Sequence, residues 1–288
     1  PRVQDAAARL YGVSPAQVMV TNGSDEMLRI LFQACVDPGE EVVAFYPSYT
    51  YYATLAAIQD AQYRLIPFTD DYALPASLDV ASARLIFLPD PNAPSGTVYD
   101  QTEIERLCAA AENGLVVVDE AYADFAGVSA IPLLKKHANL FVTRTLSKSY
   151  ALAGLRVGLG FGAEALMGEL DKVRDFYNVD RLAQAGACAA LEDQAHFRAQ
   201  MERVRATRKR LCEALVPLAD RVWPTGANFV LARFRSPPAA EVFALLRERK
   251  ILVRHFASPR LDDCLRITVG TDEAVDRLLD ALREICGR

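Results

Sequence analysis

Short, wholly apolar runs bounded by glycine, proline or an acid recur through the first part of the chain, with amphipathic stretches between them. Leu85-Ile-Phe-Leu88 and Leu115-Val-Val-Val118 show no alternation of apolar and polar residues. Strands of that kind are buried on both faces, as in a parallel sheet. Runs at 17–21, 41–46, 84–89, 115–119, 139–144 and 155–161 predict strands, and helical patterns fall at 2–11, 24–36, 48–59, 101–112 and 163–176. The alternation predicts an α/β fold, a large domain whose mainly parallel sheet is covered by helices on both faces. A helical stretch over 181–216 follows. Strand-like runs at 229–234, 251–253 and 265–269 then alternate with helical patterns at 238–249 and 271–286. That change predicts a small C-terminal α/β domain, with the chain divided into 1–195 and 196–288.

Charge and composition exclude several roles. A net charge of −5 with a pI near 5.4 leaves no electrostatic footprint for nucleic acid. The arginine-rich stretch from Arg198 to Arg210 is interleaved with Glu and apolar residues and is expected to be the solvated face of a long helix. Apolar runs fall far short of the roughly 20 residues that cross a bilayer, and no signal peptide opens the chain. The six cysteines contain no Cys-x-x-Cys pair and lie far from the three histidines, which is neither a metal spacing nor a disulfide framework. A reduced, cytoplasmic enzyme without a metal fits this usage.

The chemistry concentrates in Thr145-Leu-Ser147-Lys148-Ser-Tyr-Ala-Leu-Ala-Gly-Leu-Arg156. Two hydroxyls and a lysine share one turn, with an arginine eight residues on. Such a set can hold a phosphate monoester beside an amine that forms a Schiff base, and pyridoxal 5′-phosphate carries both groups. Taken alone, the segment is equally a surface turn. Upstream, the buried run 115–118 ends in Asp119-Glu-Ala-Tyr122. Ligand-binding groups of open α/β sheets gather at such carboxyl ends. There Asp119 can pair with a protonated pyridine nitrogen, and Tyr122 can reach a ring hydroxyl. Val18 to Glu26 carries the turn signal Asn22-Gly23, with Ser24 or Asp25 as the expected N-cap of a helix whose start aims at a phosphate. Asp90-Pro-Asn92-Ala93-Pro-Ser-Gly96 breaks another apolar run and leaves an amide at a strand end.

In their order, Asn-Gly-Ser-Asp-Glu, Tyr-Pro-Ser-Tyr49, Pro-Asn-Ala-Pro-Ser-Gly, Asp-Glu-Ala-Tyr122, Thr-Leu-Ser-Lys148 and Gly-Leu-Arg156 resemble the fold-type I pyridoxal-phosphate-dependent aminotransferases. With Ser-Tyr-Ala-Leu-Ala-Gly-Leu-Arg156 and Cys264-Leu-Arg266-Ile-Thr-Val-Gly270, the chain is most similar to the histidinol-phosphate aminotransferases. The resemblance runs from residue 1 to the last helix. It implies that Lys148 carries the cofactor covalently, Asp119 binds the pyridine nitrogen, Tyr122 the ring hydroxyl, and Tyr49 stacks on the ring. Ser24 and Asp25, with Thr145, Ser147 and Arg156, would hold the phosphate. Arg266, Arg254 and Asn228 would hold the substrate's anionic groups. The implied reaction is transamination between histidinol phosphate and 2-oxoglutarate, with glutamate as the second amine, by a homodimer.

Two departures stand out. Where the family has Asn-Pro-Thr-Gly, this chain has Ala93-Pro-Ser-Gly, and Asn92 is expected to supply the amide. The chain also starts at Pro1, at a point inside the family's large domain, and is expected to be a fragment lacking the N-terminal arm. Another aminotransferase, an amino-acid-phosphate decarboxylase, and a truncated cofactor-binding domain without turnover are the alternatives. A dinucleotide fingerprint, Gly158-Leu-Gly160-Phe-Gly-Ala163, is set aside. A dinucleotide site needs a further strand ending in an acid about 20 residues on, and the pattern there is helical.

Overall fold

The computed structural model describes residues 2–287. It opens with α1 (Arg2–Tyr11), β1 (Val18–Asn22) and α2 (Ser24–Cys35), then β2 (Glu41–Tyr46), α3 (Tyr51–Ile58), β3 (Gln62–Pro67) and β4 (Leu85–Pro89). Next come α4 (Gln101–Ala110), β5 (Leu115–Asp119), the single turn α5 (Ala123–Ala126), β6 (Leu140–Thr145), β7 (Val157–Phe161) and α6 (Glu164–Asp171). Two helices, α7 (Arg181–Glu192) and α8 (Gln194–Leu215), lead to β8 (Arg221–Val222), β9 (Phe229–Arg233), α9 (Ala239–Glu248), β10 (Arg254–His255), β11 (Cys264–Thr268) and α10 (Asp272–Cys286).

Seven strands form one sheet in the order β1-β7-β6-β5-β4-β2-β3. The pairs from β3 through β6 are parallel, and β7 runs against both its neighbours. The lack of alternation in these runs follows from two separate cores. Val43, Ile86, Val116, Val118 and Val142 pack on one face, while Val42, Leu85, Phe87, Val117 and Phe141 pack on the other. Successive residues along these runs therefore enter opposite cores, and polar side chains on β5 and β6 are confined to their carboxyl ends, at Asp119, Thr143, Arg144 and Thr145.

The second sheet, β10-β11-β9-β8, is antiparallel throughout. Its alternation is plain. Val230, Ala232, Leu265 and Ile267 join α8, α9 and α10 in a third core, whereas Leu231 and Cys264 pack with the large-sheet core. The two units thus meet through one face of the small sheet, and Arg266, lying between Leu265 and Ile267, is on that face. The changeover falls at α7 and α8: Ala183, Ala187 and Leu191 belong to the first core, Leu211 and Leu215 to the third.

Some elements depart from expectation. β3 was not expected, because Gln62-Tyr-Arg-Leu-Ile-Pro67 mixes polar and apolar residues. It is an edge strand paired only with β2, and Ile66 alone among its residues is fully buried. Residues 251–253, expected as a strand, have no ladder partner; pairing begins at Arg254, opposite Arg266. The helix expected over 163–176 stops at Asp171, whose carboxylate accepts a 2.8 Å hydrogen bond from Arg174 Nε as the chain turns away.

Candidate active site

Pro89, Asp119 and Thr145, at the carboxyl ends of β4, β5 and β6, converge on a cavity of about 270 Å³. The N-terminal turn of α2 adds Ser24 and Asp25, the loop after β2 adds Tyr49, and the small sheet adds Arg266. Tyr122, Ser147, Lys148 and Arg156 complete the wall. Parallel pairing puts these ends side by side: Asp119 lies opposite Pro89 on one neighbour and Thr143 on the other.

Asp119 is buried and held by three donors. Tyr52 donates its hydroxyl to Oδ2 at 2.8 Å, while the Ala121 amide and the Thr143 hydroxyl donate to Oδ1, each at 3.2 Å. Burial pushes the carboxyl above its usual range, and these hydrogen bonds pull it back only in part. A cationic N–H brought to this carboxylate would be strongly favoured. Tyr52 itself stacks on Phe87 at 4.4 Å and meets Tyr49 edge-on at 5.5 Å. Burial raises the Tyr122 phenol, whose ring meets Phe229 edge-on at 5.0 Å. Lys148 Nζ lies 5.9 Å from the centre of the Tyr122 ring.

An anion-binding cup closes the cavity. The Ser147 backbone N–H donates a hydrogen bond to Thr145 Oγ1 at 3.1 Å, folding the turn back, and the Ser147 Oγ accepts from Arg156 Nη1 at 3.3 Å. Arg156 sits in the left-handed region (φ 51°) and pairs with Asp25 at 3.2 Å, while Asp25 also accepts from the Tyr49 hydroxyl at 3.3 Å. Neither Ser24 nor Asp25 caps α2. The N-cap is Gly23 (φ 78°), with no side-chain cap. The positive φ favours glycine there, and a Cβ would in addition displace the Arg156 guanidinium from its place beside the turn. Gly158 in β7 is its counterpart: a Cβ at that position would strike the backbone of Gly23 and Ser24. Gly158 and Gly160 of the dinucleotide-like fingerprint therefore lie inside a strand, and Gly158 lets that strand approach the start of α2, where amides and helix dipole favour an anion.

The remaining expected residues divide. Arg266 reaches the cavity with its guanidinium 4.9 Å from the Phe229 ring and 5.6 Å from Phe256. Its Nε is buried without a hydrogen-bond partner, and burial lowers its pKa, so the group is poised for an anion. Arg254, its cross-strand neighbour, is exposed, does not line the cavity and stacks on Phe256 at 5.3 Å. Asn228 lines an adjoining hollow that it shares with Lys148 and Tyr150, not the cavity itself. Asn92 does not reach the cavity either. Its amide is buried and donates to the Pro47 carbonyl at 3.2 Å and to Ser95 Oγ at 2.9 Å, tying two loops together, and Ala93 faces the cavity instead.

Sequence reasoning missed Tyr52 and Thr143. Thr143 was legible in retrospect as the polar residue two before Thr145 on one strand face; Tyr52 depends on the packing of α3. The arginine-rich face of α8 also differs from expectation. Arg205 and Arg208 turn inward and donate to the backbone carbonyls of Asp124, Phe125 and Ala227, capping the exposed end of α5. Carbonyls left unpaired at a helix end draw such donors. No helix among the described residues is long and apolar enough to cross a membrane.

Known proteins resemble this chain in sequence and in fold. The histidinol-phosphate aminotransferase of Geotalea uraniireducens (strain Rf4) is 47% identical over 285 residues, spanning 98% of this chain and 81% of that protein. A crystal structure of histidinol-phosphate aminotransferase from Sinorhizobium meliloti in complex with pyridoxal-5′-phosphate superposes with a TM-score of 0.89 at 27% identity, over 99% of this chain and 80% of that one. The fold alone is shared with L-threonine-O-3-phosphate decarboxylase from Porphyromonas gingivalis (TM-score 0.87, 24% identity, over 99% of this chain and 88% of that one). The profile described as aminotransferase class I and II matches residues 1–282, so nearly the whole chain, cavity included, belongs to the class I and II aminotransferase family.

Proposed function

We propose that this chain is a pyridoxal-phosphate-dependent transaminase that takes the amino group of histidinol phosphate and passes it to 2-oxoglutarate, a step of histidine biosynthesis. The observation that carries the reading is one cavity holding a lysine amine, a buried acid with raised pKa and an anion cup of two hydroxyls, an arginine and a helix start. The 47% identity to a histidinol-phosphate aminotransferase supports the substrate. The residues fit the cofactor: Thr145, Ser147, Arg156 and the first turn of α2 suit its phosphate, Asp119 its ring nitrogen, Tyr122 its ring hydroxyl, and Tyr49 its ring face. Bound there, the cofactor supplies an electrophilic carbonyl and an electron sink.

The chain's own residues divide the remaining work. Lys148 Nζ would hold the cofactor, and as a free amine it would take up the proton from the substrate's Cα. Asp119 stabilises positive charge on the ring nitrogen, and its burial makes that interaction stronger than it would be in water. Arg266 orients the anionic end of each substrate in turn, since a guanidinium suits phosphate and carboxylate alike. Arg254, Asn228 and Asn92 have no place in this cavity as it stands.

A cytoplasmic homodimer belongs to the same proposal. Phe176 and Tyr177, adjacent in the chain, are 91% and 97% exposed, apolar surface that a second subunit would cover. Borohydride reduction of the holoprotein followed by peptide mass analysis tests the cofactor site. Lys148 should carry the adduct, and Lys148→Ala should lose both adduct and visible band. An adduct on another lysine refutes the assignment. Donor profiling then tests the substrate: amino transfer from histidinol phosphate without release of carbon dioxide is expected, and carbon dioxide release from a phosphorylated amino acid would move the chain to the decarboxylases.

A further inference from the structure

A second polar cluster lies behind the same strand ends, outside the cavity. Arg144 sits between Thr143 and Thr145 on β6, so strand alternation sends its side chain to the opposite face. It is 5% exposed and its partner Glu120 is 2% exposed. Arg144 Nε and Nη2 both reach Glu120 Oε2, at 2.8 and 2.6 Å, and Nη1 reaches Asp124 Oδ1 at 2.5 Å. Ser149 donates its hydroxyl to the other Asp124 oxygen at 2.5 Å. Glu120 is fixed in turn by the Ser129 hydroxyl at 2.9 Å and by the Ala130 amide. The Tyr11 ring lies against the guanidinium, 4.8 Å from its centre.

The members of this network are chain neighbours of the cavity residues. Glu120 follows Asp119, Asp124 is two residues beyond Tyr122, Arg144 precedes Thr145, and Ser149 follows Lys148. Burying two carboxylates and a guanidinium gains little stability over an apolar cluster of the same shape. The β5–β6 ladder already ties Asp119 and Glu120 to Thr143; what the network adds, beyond the end of that ladder, is a directional bond from the turn holding Lys148 and Ser149 to Asp124 in the segment after β5. We propose that Asp124 and Ser149 are positioning residues, which set the Lys148 turn against the Asp119 strand end through the Arg144–Glu120 pair. The proposal rests on the reading of Lys148 as the reacting amine. An amine that must meet the substrate's Cα in line loses rate steeply when its turn drifts.

Replacing Arg144 would leave the Glu120 and Asp124 carboxylates without their cation, and the resulting loss of stability would mask any effect on positioning, so the test uses Ser149, whose replacement removes one neutral hydroxyl. Ser149→Ala should bind cofactor fully, with kcat down roughly tenfold and KM for both substrates within about twofold. In the cofactor-free protein, amide hydrogen exchange across residues 146–151 should speed up by about tenfold as the turn loosens. Ser149→Thr, which keeps the hydroxyl, should restore both. Unchanged kcat and unchanged exchange in Ser149→Ala, whatever happens to the melting temperature, overturn the proposal. Should the wild type carry no cofactor on Lys148, the function fails, and exchange in the cofactor-free protein still reports whether Ser149 fixes the turn.

Discussion

Replacing Asp119 by Asn separates the acid's electrostatic role from its structural one. The carboxamide is nearly the same shape, and the surrounding donors can accept it. Ala121 N–H cannot reverse, so the amide oxygen must occupy the Oδ1 position, where it keeps the bonds from Ala121 and Thr143. The NH₂ group then faces the Tyr52 hydroxyl, which rotates to accept instead of donate. All three hydrogen bonds survive, and the change in stability should stay within about 1 kcal/mol. The cofactor-free variant should even gain above the acid range. Burial raises the Asp119 pKa, so its charged form weakens the fold as pH rises, and the neutral amide removes that cost. Turnover should respond oppositely. Loss of a preorganised charge aimed at the ring should lower kcat by about 10²–10³, or about 2.7–4 kcal/mol of barrier. The assay is kcat at matched cofactor occupancy, beside thermal melts with and without cofactor. A variant that keeps kcat within threefold, or that unfolds, refutes the reasoning.

Other outcomes follow from the same geometry. Arg266→Lys keeps the charge but loses the fork, so KM for histidinol phosphate and for 2-oxoglutarate should rise about tenfold with cofactor affinity unchanged; equal KM values in both proteins would exclude the role. Gly158→Ala places a Cβ against the backbone of Gly23 and Ser24 and should push the α2 start away from the phosphate cup, weakening cofactor binding by about tenfold, as read by spectroscopic titration. Asp90 is buried, and burial raises its pKa to about 7. A raised carboxyl costs stability as pH climbs from its unfolded value toward that point, so Asp90→Asn should gain over wild type by about 2–4 kcal/mol near pH 8. That gain should shrink as the pH is lowered toward 4, and a pH-independent difference in denaturation midpoint would contradict the cause.

Much of this protein was legible in its sequence. Unbroken runs such as Leu115 to Val118 required strands buried on both faces, and they are, because alternate residues feed two different cores. Local motifs placed Asp119, Tyr122, Ser147, Lys148 and Arg156 on strand ends and turns, and parallel pairing carries such ends to a common edge. The weaker element was β3, which as an edge strand needs only one buried residue and so carries no strong pattern. Tertiary structure decided the rest. Asn92 and Ala93 are adjacent, and only the folding of that loop onto Pro47 turns the amide inward and leaves the alanine at the cavity. Arg254 and Arg266 look alike in sequence, yet the register of two antiparallel strands leaves one exposed and buries the other's Nε beside the site. Tyr52, Arg144 and Arg205 act through partners distant along the chain, on Asp119, Glu120 and the end of α5 respectively. Periodicity reports which face of an element is buried, but a hydrogen bond depends on where two elements meet, and that is set by packing across the whole chain.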